Sequence, residues 1–390
     1  MPSALSFDLS EDHNMIRETV RAFAEKEVRP KAHELDRGET FSAELTKRMG
    51  EMGLFGMQIG PEYGGQGLDY VSYIIAVEEM ARVDGSQAAT LAAHNSLGVG
   101  PIHDFGSEEQ KKKYLPKLCT GEHVWAFGLT EPDAGSDAGG TQTKAVKVDG
   151  GWQMTGAKMF ITNATVPCSL GATVQAVSGK RPDGKKEYTC FLVEKGAPGY
   201  TTRPMKDKML WRASDTGELY FDKVKIPDSQ VLGKPGDGFK QMLKTLDAGR
   251  LSIAAMGLGC AQGAYELGLQ YAKQRKQFGA PIATFQANAF KLADMATQIE
   301  HARLYLYYAC WLKDQKRPYA KESAMAKLNC AEVARMCVTH ALQLFGGYGF
   351  MGEFQIERFF RDQKLIEVGE GTSEIQRLVI SRAIGCYEGS

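Results

Sequence analysis

A glutamate between two glycines, near the carboxyl end of the sequence, is the residue best placed to do chemistry. In the stretch IEVGEGTSEIQR (366–377), Glu370 is flanked by Gly369 and Gly371. Glycine lets the backbone approach a ligand closely, and a carboxylate presented in this way suits proton abstraction in a closed pocket. Ser373 is the predicted cap of the helical run that follows. Taken alone, so short a motif fits a solvated turn glutamate better than a catalytic base.

Four further segments carry residues suited to binding a flat or phosphorylated ligand. LTEPDAGSD (129–137) offers hydroxyls and backbone donors to a ring carbonyl or a phosphate, and MFITN (159–163) offers an aromatic ring for stacking. In QRKQFG (274–279), Arg275 could hold a pyrophosphate, and FGGYG (345–349) exposes backbone donors to an anion. Each segment also has a plainer interpretation: a turn, a strand-end core residue, a cation complementing a helix dipole, or a helix C-cap.

The first zone of the sequence, residues 1–120, predicts a helical domain that must help position these segments. Ser10 is the predicted N-cap of its first helix, and Pro30 is the predicted end of that helix. Further helices are predicted over 43–52 and 71–83.

The second zone, residues 121–232, changes from helical spacing to alternation. Asp149-Gly150-Gly151 is typical of a hairpin turn between two of its strands. Because no helix is predicted between successive strands, the zone indicates a small antiparallel sheet domain. The predicted strands cover 143–148, 152–155, 173–178, 188–194 and 218–226.

The third zone, residues 233–390, returns to helical spacing. Long helices are predicted over 239–275, 285–314 and 320–344, which is typical of a four-helix bundle. Gly257, Gly259 and Gly263 lie within the first of them and lack a preceding strand, so they predict close helix packing rather than a dinucleotide site. The fold class predicted from the three zones is α+β and multi-domain: helical, then antiparallel β, then a helical bundle.

Composition and charge exclude several function classes. Lys and Arg total 47, as do Asp and Glu, so the net charge of zero argues against nucleic-acid binding. The eight cysteines show neither a CxxC pair nor metal-ligand spacing, which favours free thiols in a reducing compartment and predicts no metal site. No apolar run reaches membrane-spanning length, and the first residues do not match a targeting peptide. The expected location is the cytoplasm or, after processing, the mitochondrial matrix.

The motifs taken together resemble the acyl-CoA dehydrogenase family over nearly the whole chain. The segments above, with WRASDT (211–216) and DAGR (247–250), occur in that family's order and at roughly its spacing. The resemblance implies a tightly bound FAD and removal of two hydrogens across the α,β bond of an acyl-CoA thioester. It also implies a homo-oligomer, most simply a tetramer, and an electron-transfer flavoprotein as electron acceptor.

The resemblance also implies roles for individual residues. Glu370 takes the place of the catalytic base. The implied flavin-ring contacts are Phe127, Leu129, Thr130, Phe160, Ile161 and Thr162. The implied contacts to the rest of FAD, some of them from a neighbouring chain, are Arg275, Gln277, Phe278, Gln343, Gly347, Thr372 and Glu374. The implied substrate contacts are Ser136, Asp247, Arg250 and Gly371.

The chemistry of the residues agrees with that assignment. Abstracting a weakly acidic α-proton needs a base beside the carbon and donors on the thioester oxygen, and exclusion of water should raise the pKa of Glu370. Some family members carry the base on the long helix, at the position that Gly249 occupies here, so Glu370 is the remaining candidate. Many members have tyrosine where this chain has Gly369, which leaves the acyl specificity open. No Arg or Lys occurs between Arg82 and Lys111, which argues against the glutaryl-type specialisation.

Two other functions fit the same scaffold. One is a flavin oxidase or monooxygenase that uses dioxygen, and the other is a flavin-bearing scaffold or nucleic-acid-associated relative without dehydrogenase activity. The intact Glu370 motif argues against the first, while the zero net charge and the complete set of base and CoA residues argue against the second. The length, branching or ring character of the acyl group does not follow from the sequence.

Overall fold

The computed structural model describes residues 8–387, which form two compact units. The helical unit comprises residues 8–34, 69–88 and 250–387, and the sheet unit comprises residues 35–68 and 89–249. Among the described residues, no helix is both long and apolar enough to cross a membrane.

The first zone is helical as predicted, and the two helices predicted over 43–52 and 71–83 are present within two residues of those bounds. Their bounds are α1 Glu11–Phe23, α2 Arg29–Gly38, α3 Ala43–Glu51, α4 Tyr70–Ala81, α5 Gly85–Ala93, α6 Gly100–Phe105 and α7 Glu108–Cys119. Ser10 caps α1 as predicted, because its hydroxyl accepts the His13 backbone N–H at 3.1 Å. The predicted end at Pro30 is wrong. A π turn over Ala24–Val28 widens the helix just before the proline, and the chain continues through Pro30 into α2 without a break.

The helical unit also contains the long helices of the third zone, except for residues 238–249 of α8, which belong to the sheet unit. Their bounds are α8 Gly238–Gln274, α9 Gln286–Asp314, α10 Ala320–Phe345, α11 Ile356–Val368 and α12 Ser373–Ala383. Two of the α8 glycines allow it to pack closely on the last turn of α4. A Cβ added at Gly259 would lie 2.2 Å from the Glu78 carbonyl oxygen, and one at Gly263 would lie 2.2 Å from the Arg82 carbonyl oxygen. The prediction that these glycines serve close helix packing is confirmed.

The sheet unit holds an eight-stranded sheet. Its strands are β1 Val124–Gly128, β2 Lys144–Val148, β3 Gly151–Thr162, β4 Ser169–Lys180, β5 Lys186–Glu194, β6 Tyr200–Pro204, β7 Thr216–Pro227 and β8 Val231–Leu232. The order along the sheet is β6-β7-β3-β2-β4-β5-β8, and β1 pairs with β4. A separate small hairpin joins β9 Lys276–Gln277 to β10 Ala280–Pro281 in the helical unit.

The sequence predicted an antiparallel sheet, but the observed sheet also contains parallel pairings. The β1 strand, which the alternation pattern did not reveal because all five of its residues are buried, runs parallel to β4. The β2 strand meets β4 in parallel at a single pair, and the other pairings within the sheet are antiparallel. One apolar core lies between strands, around Met154, Val174 and Leu219. A second packs β1 and β5 against helices through Trp125 and Leu115.

A fully buried histidine stands in the π turn His94–Val99 of the sheet unit. Its Nδ1 accepts the Trp125 backbone N–H at 3.2 Å, so its Nε2, which lies 2.9 Å from the Leu118 carbonyl oxygen, carries the donated proton. These two bonds fit a neutral imidazole. Burial lowers the pKa of His94 from 6.5 to about 4.

We expect this histidine to make the fold sensitive to mild acid. Below pH 6.5 the unfolded chain binds a proton that the folded chain refuses until about pH 4, so stability falls as the pH falls. Between pH 7 and pH 5 the free energy of unfolding should drop by about 2 kcal/mol from this group. Guanidinium unfolding of wild type and His94→Gln at both pH values tests this. The variant should be less stable at pH 7 and should depend less on pH, and equal slopes would contradict the assignment.

Candidate active site

Glu370 occupies a strained turn between α11 and α12 in the helical unit. Its φ is +52°, which is uncommon for a residue with a side chain, and that of Gly371 is +95°. With this φ, and with an added Cβ only 2.8 Å from the Gln376 Nε2 atom, a side chain at Gly371 would be strained. Gly369 starts the turn by donating its N–H to the Leu365 carbonyl oxygen at 2.7 Å. The turn presents a carboxylate in a fixed direction at the cost of backbone strain.

Two buried side chains hold this turn from neighbouring helices. The Lys327 Nζ of α10 and the Gln376 Nε2 of α12 each donate to the Gly371 carbonyl oxygen at 2.8 Å. Gln376 also donates to the Glu370 carbonyl oxygen at 3.4 Å. Both side chains are 0 % exposed, so water does not compete for these bonds. The carbonyl groups of the turn are therefore held by side chains of two other helices.

The Glu370 carboxylate is held in a form that suits a general base. Its Oε2 atom is fully buried and has no hydrogen-bond partner within residues 8–387. Burial raises the pKa of Glu370 to about 7, while the positive charges of Lys327 and Arg250 oppose that rise. A base whose pKa lies near neutrality combines a usable ionised fraction with appreciable proton affinity.

Residues flanking the turn partly differ from prediction. The cap of α12 is Thr372, whose hydroxyl accepts the Ile375 backbone N–H at 3.3 Å, and the prediction of Ser373 is wrong by one residue. Ser373 is instead the first residue of the helix, because the left-handed Gly371 delays the entry into helical geometry. Glu374 is exposed, whereas Arg250, the first residue of this unit on α8, is buried.

In the sheet unit, the predicted flavin-ring segments lie side by side. Lys158 of β3 is 0 % exposed, and its Nζ donates to the Leu129 carbonyl oxygen at 3.1 Å and to the Glu131 carboxylate at 2.7 Å. The Met159 N–H donates to the Thr130 carbonyl oxygen at 2.9 Å. These bonds fix the segment after β1 against the end of β3, so the two groups of predicted ring contacts lie next to each other.

The Lys158–Glu131 pair is a buried ion pair with extra donors. Glu131 also accepts the Gln142 N–H at 2.7 Å and the Thr143 N–H at 3.1 Å. Burial lowers the pKa of Lys158 to about 8. Burial would raise the pKa of Glu131, but the Lys158 charge and the hydrogen bonds hold it below its ordinary value. The pair is therefore ionised at neutral pH and ties the loop to the strand.

Phe160 is an exposed aromatic residue near the end of β3. Its side chain is 60 % exposed and its φ is +60°, at an irregularity in the β3–β7 pairing between Lys158 and Ile161. An exposed ring held by a strained backbone fits stacking on a flat heterocycle better than the strand-end core role. Phe127, Leu129 and Ile161 are buried, and Thr130 and Thr162 are half-buried.

A cavity of about 600 Å³ in the helical unit collects other predicted cofactor residues. Arg275, Gln277 and Gly347 line it together with aromatic side chains, and the Arg275 guanidinium lies 5.6 Å from the centre of the Tyr348 ring. A Cβ at Gly346 or Gly347 would meet no atom within 4 Å, so the backbone there is open to a ligand. The open glycine turn and the cation fit a phosphate group of FAD, and the aromatic side chains fit stacking on one of its rings.

Replacing Arg275 by alanine should loosen FAD more than it changes the chemistry. A charge-assisted bond to phosphate contributes about 1.5–3 kcal/mol, so we expect roughly 10- to 100-fold weaker retention. The flavin-to-protein ratio after exhaustive dialysis measures this. Lys273→Ala, which removes an exposed cation from the last turn of the same helix, is the matched control. If the Arg275 variant retains the wild-type flavin-to-protein ratio, Arg275 serves only as a cation at the end of the helix.

Other predicted contacts lie on the surface or apart from these groups. Phe278 is 97 % exposed with a φ of +51°. Gln343 and Ser136 are exposed, and Asp247 is half-buried on the sheet-unit part of α8. The roles of these residues and of the others named from the resemblance stay predictions.

Lys327 is one of the site residues that the sequence reasoning missed, and Gln376 and Lys158 are others. The lysine interrupts a run of small and apolar residues, SAMAKLNCA (323–331), within a helix that buries most of that run. A lone charge in an apolar helix stretch was the available signal, since such a charge needs a partner or a task. Its partner, Gly371, is 44 residues away in sequence.

Curated relatives match almost the full length of the chain. It is 48 % identical over 380 residues to a probable acyl-CoA dehydrogenase, YngJ, of Bacillus subtilis, covering 97 % of this chain and 100 % of the relative. It is 44 % identical over 380 residues to a short-chain specific acyl-CoA dehydrogenase of Clostridium acetobutylicum, with the same coverage.

Solved structures are equally similar. Butyryl-CoA dehydrogenase from Megasphaera elsdenii superposes with a TM-score of 0.94 at 40 % identity, covering 97 % of this chain and 100 % of that one. A chain of a structure described as the electron transferring flavoprotein of Acidaminococcus fermentans gives 0.94 at 43 % identity, covering 98 % and 100 %. A glutaryl-CoA dehydrogenase from Mycobacterium smegmatis in complex with FADH2 gives 0.92 at 31 % identity, covering 97 % and 95 %.

Three family models divide the chain among them. The N-terminal domain of acyl-CoA dehydrogenase matches residues 10–122, the middle domain matches 126–224, and the C-terminal domain matches 236–385. The helical–β–helical fold class predicted from the sequence is confirmed. The chain is an FAD-dependent oxidoreductase that belongs to the acyl-CoA dehydrogenase family.

Proposed function

We propose that this enzyme dehydrogenates the α,β bond of a short acyl-CoA thioester, with Glu370 as the base. The single observation that carries the proposal is the Glu370 carboxylate itself. It is fixed on a left-handed turn, has a fully buried oxygen without a hydrogen-bond partner, and has a pKa raised by burial to about 7. A short acyl group is favoured because the relatives include a short-chain specific enzyme and a butyryl-CoA dehydrogenase.

The residues of the chain account for the proton's path. The ionised Glu370 takes the α-proton, and the electron pair left on the α-carbon moves into the new α,β double bond as the β-hydrogen departs with its own electron pair. FAD, when bound, supplies the acceptor for that hydride. Lys327 and Gln376 hold the turn while the carboxylate becomes a neutral acid. The product is the trans-2-enoyl thioester.

Exposed apolar side chains support an oligomer, and a similar solved structure supports another flavoprotein as the electron acceptor. Large apolar side chains remain exposed on α9, namely Phe290, Leu304, Tyr308 and Trp311, and Phe278 is almost fully exposed beside the predicted FAD residues. A homotetramer would cover such surfaces. The similarity to a chain from an electron transferring flavoprotein structure supports such a flavoprotein as the acceptor. The eight cysteines are free thiols, in keeping with a reducing compartment such as the cytoplasm.

Anaerobic titration with acyl-CoAs of increasing length and branching tests the reaction and its substrate. Short straight thioesters should bleach the visible flavin absorbance and yield the enoyl-CoA. If branched thioesters bleach the flavin and straight-chain thioesters do not, the proposed substrate changes from a straight acyl group to a branched one. The absence of bleaching by every thioester would refute the proposal and favour a scaffold.

Reoxidation of the reduced enzyme separates a dehydrogenase from an oxidase. The reduced flavin should persist in air for much longer than one turnover and should reoxidise rapidly with electron-transfer flavoprotein. Fast reaction with dioxygen alone would favour the oxidase or monooxygenase alternative.

A further inference from the structure

We propose that Lys327 is a positioning residue for the Glu370 base: its buried ammonium fixes the Gly371 carbonyl and places a positive charge next to the turn that carries the carboxylate. The inference rests on the proposed function, because it gives Lys327 a role only if Glu370 transfers a proton. It assigns two separable tasks to one side chain, a hydrogen bond and a charge.

The hydrogen bond stabilises a turn that strain would otherwise loosen. Glu370 and Gly371 are consecutive left-handed residues, and that region is strained for a residue with a side chain such as Glu370. The Lys327 Nζ and Gln376 Nε2 atoms meet the same Gly371 oxygen at 2.8 Å from two different helices. This double anchor holds the turn in the strained conformation that directs the carboxylate.

The hydrogen bond alone does not explain why a lysine is present. Gln376 makes the same bond to the same oxygen with a neutral amide, whereas Lys327 is 0 % exposed and pays the desolvation penalty of an ammonium group. In the part of the chain that the structure describes, its hydrogen bond goes to a neutral carbonyl rather than to a carboxylate. A buried charge without a carboxylate in direct contact acts on its surroundings through its field.

The field of Lys327 falls on a small set of charged groups. The negative groups that interact with it are Glu370 and, on the flanking helices α11 and α12, Glu367 and Glu374, while Arg250 of α8 is the neighbouring cation. Tyr70 of α4 also interacts with Glu370. Burial lowers the pKa of Lys327 to about 8, and the Glu370 charge opposes that shift. Lys327 therefore keeps its charge at the pH at which Glu370 must be ionised.

Two substitutions separate the charge from the hydrogen bond. Lys327→Gln removes the charge but retains an amide donor, and Lys327→Met removes both at similar volume. Lys327→Arg keeps a charge and should restore part of what the others lose. Lys321→Gln is the matched control, because Lys321 lies on the same helix, is partly exposed, and pairs with Glu322.

The pH dependence of kcat/KM for flavin reduction is the decisive readout. Lys327→Gln should retain FAD and move the acidic limb upward by about one pH unit, since an opposite charge nearby shifts a carboxylate by that order. Its rate should approach that of wild type at high pH. Lys327→Met should show the same shift and also lose roughly 10- to 100-fold at the high-pH plateau, because the turn is less well held. An unmoved limb in both variants would overturn the inference and leave Lys327 a structural residue.

A second measurement does not depend on turnover. The infrared carbonyl band of protonated Glu370, assigned by its absence in Glu370→Gln, should titrate near pH 7 in wild-type holoenzyme and higher in Lys327→Gln. Equal midpoints would overturn the inference. If the midpoints differ as expected but no thioester reduces the flavin, the proposed function fails while the effect of Lys327 on Glu370 stands.

Discussion

Replacing Glu370 by glutamine should abolish nearly all flavin reduction by acyl-CoA while leaving FAD and thioester binding intact. Glutamine has almost the same shape and can occupy the same strained turn, but its amide cannot accept the α-proton. A general base contributes about 10²- to 10⁴-fold, and more where no other group reaches the proton. The structure offers no replacement at the position on α8 where some relatives carry the base, because that residue is Gly249.

Single-turnover mixing under anaerobic conditions measures this loss directly. Glu357→Gln is a suitable control, since it removes a partly buried carboxylate of α11 that pairs with Arg361 on the same helix. The control should reduce its flavin at the wild-type rate. A Glu370→Gln enzyme that does the same would show that the base lies elsewhere.

Replacing Lys158 by methionine should have the largest effect on the sheet unit. It leaves the Glu131 carboxylate buried without its cation and frees the Leu129 carbonyl oxygen. Breaking a buried ion pair from one side costs about 3–5 kcal/mol. Because the same bonds hold the segment that carries Leu129 and Thr130, flavin retention should fall together with stability.

A double variant separates the lost charge balance from the lost packing. Lys158→Met with Glu131→Gln has no uncompensated charge, so it should recover about half or more of the lost free energy of unfolding. Lys147→Met, which removes an exposed lysine paired with Asp228, should change stability by less than about 1 kcal/mol. If the double variant is as unstable as the single one, the ion pair is not what the loop depends on.

Local sequence patterns predicted most of the long helices and strands but not the exact residues at which they begin and end. The Ser10 cap, the hairpin at Gly150 and the three long helices follow from short-range rules of spacing and capping. The sequence predictions gave no bounds for helices α5, α6, α7 and α11 or for strands β1, β6 and β8. Strand β1 was missed because a strand buried on both faces shows no alternation. The continuation through Pro30 depends on a π turn, which hydrophobic spacing does not encode.

The candidate site divides along the same line. Glu370, its glycine neighbours and the two predicted flavin-ring segments stand out because each is a contiguous motif. The groups that hold them do not, because Lys327 reaches Gly371 and Lys158 reaches Leu129 only after folding. Sequence spacing cannot show which buried lysine faces which carbonyl, and the pKa of the base depends on those contacts.

Proton abstraction can be measured without hydride transfer. A CoA thioester in which sulfur replaces the β-carbon cannot lose a hydride, so any reaction at its α-carbon reports the base alone. In deuterated water, wild type should exchange the α-protons of this ligand while its flavin stays oxidised, and Glu370→Gln should exchange them at least about 100-fold more slowly. Exchange at the wild-type rate in Glu370→Gln, or none in a wild-type complex that binds the ligand, would contradict the assignment of Glu370 as the base.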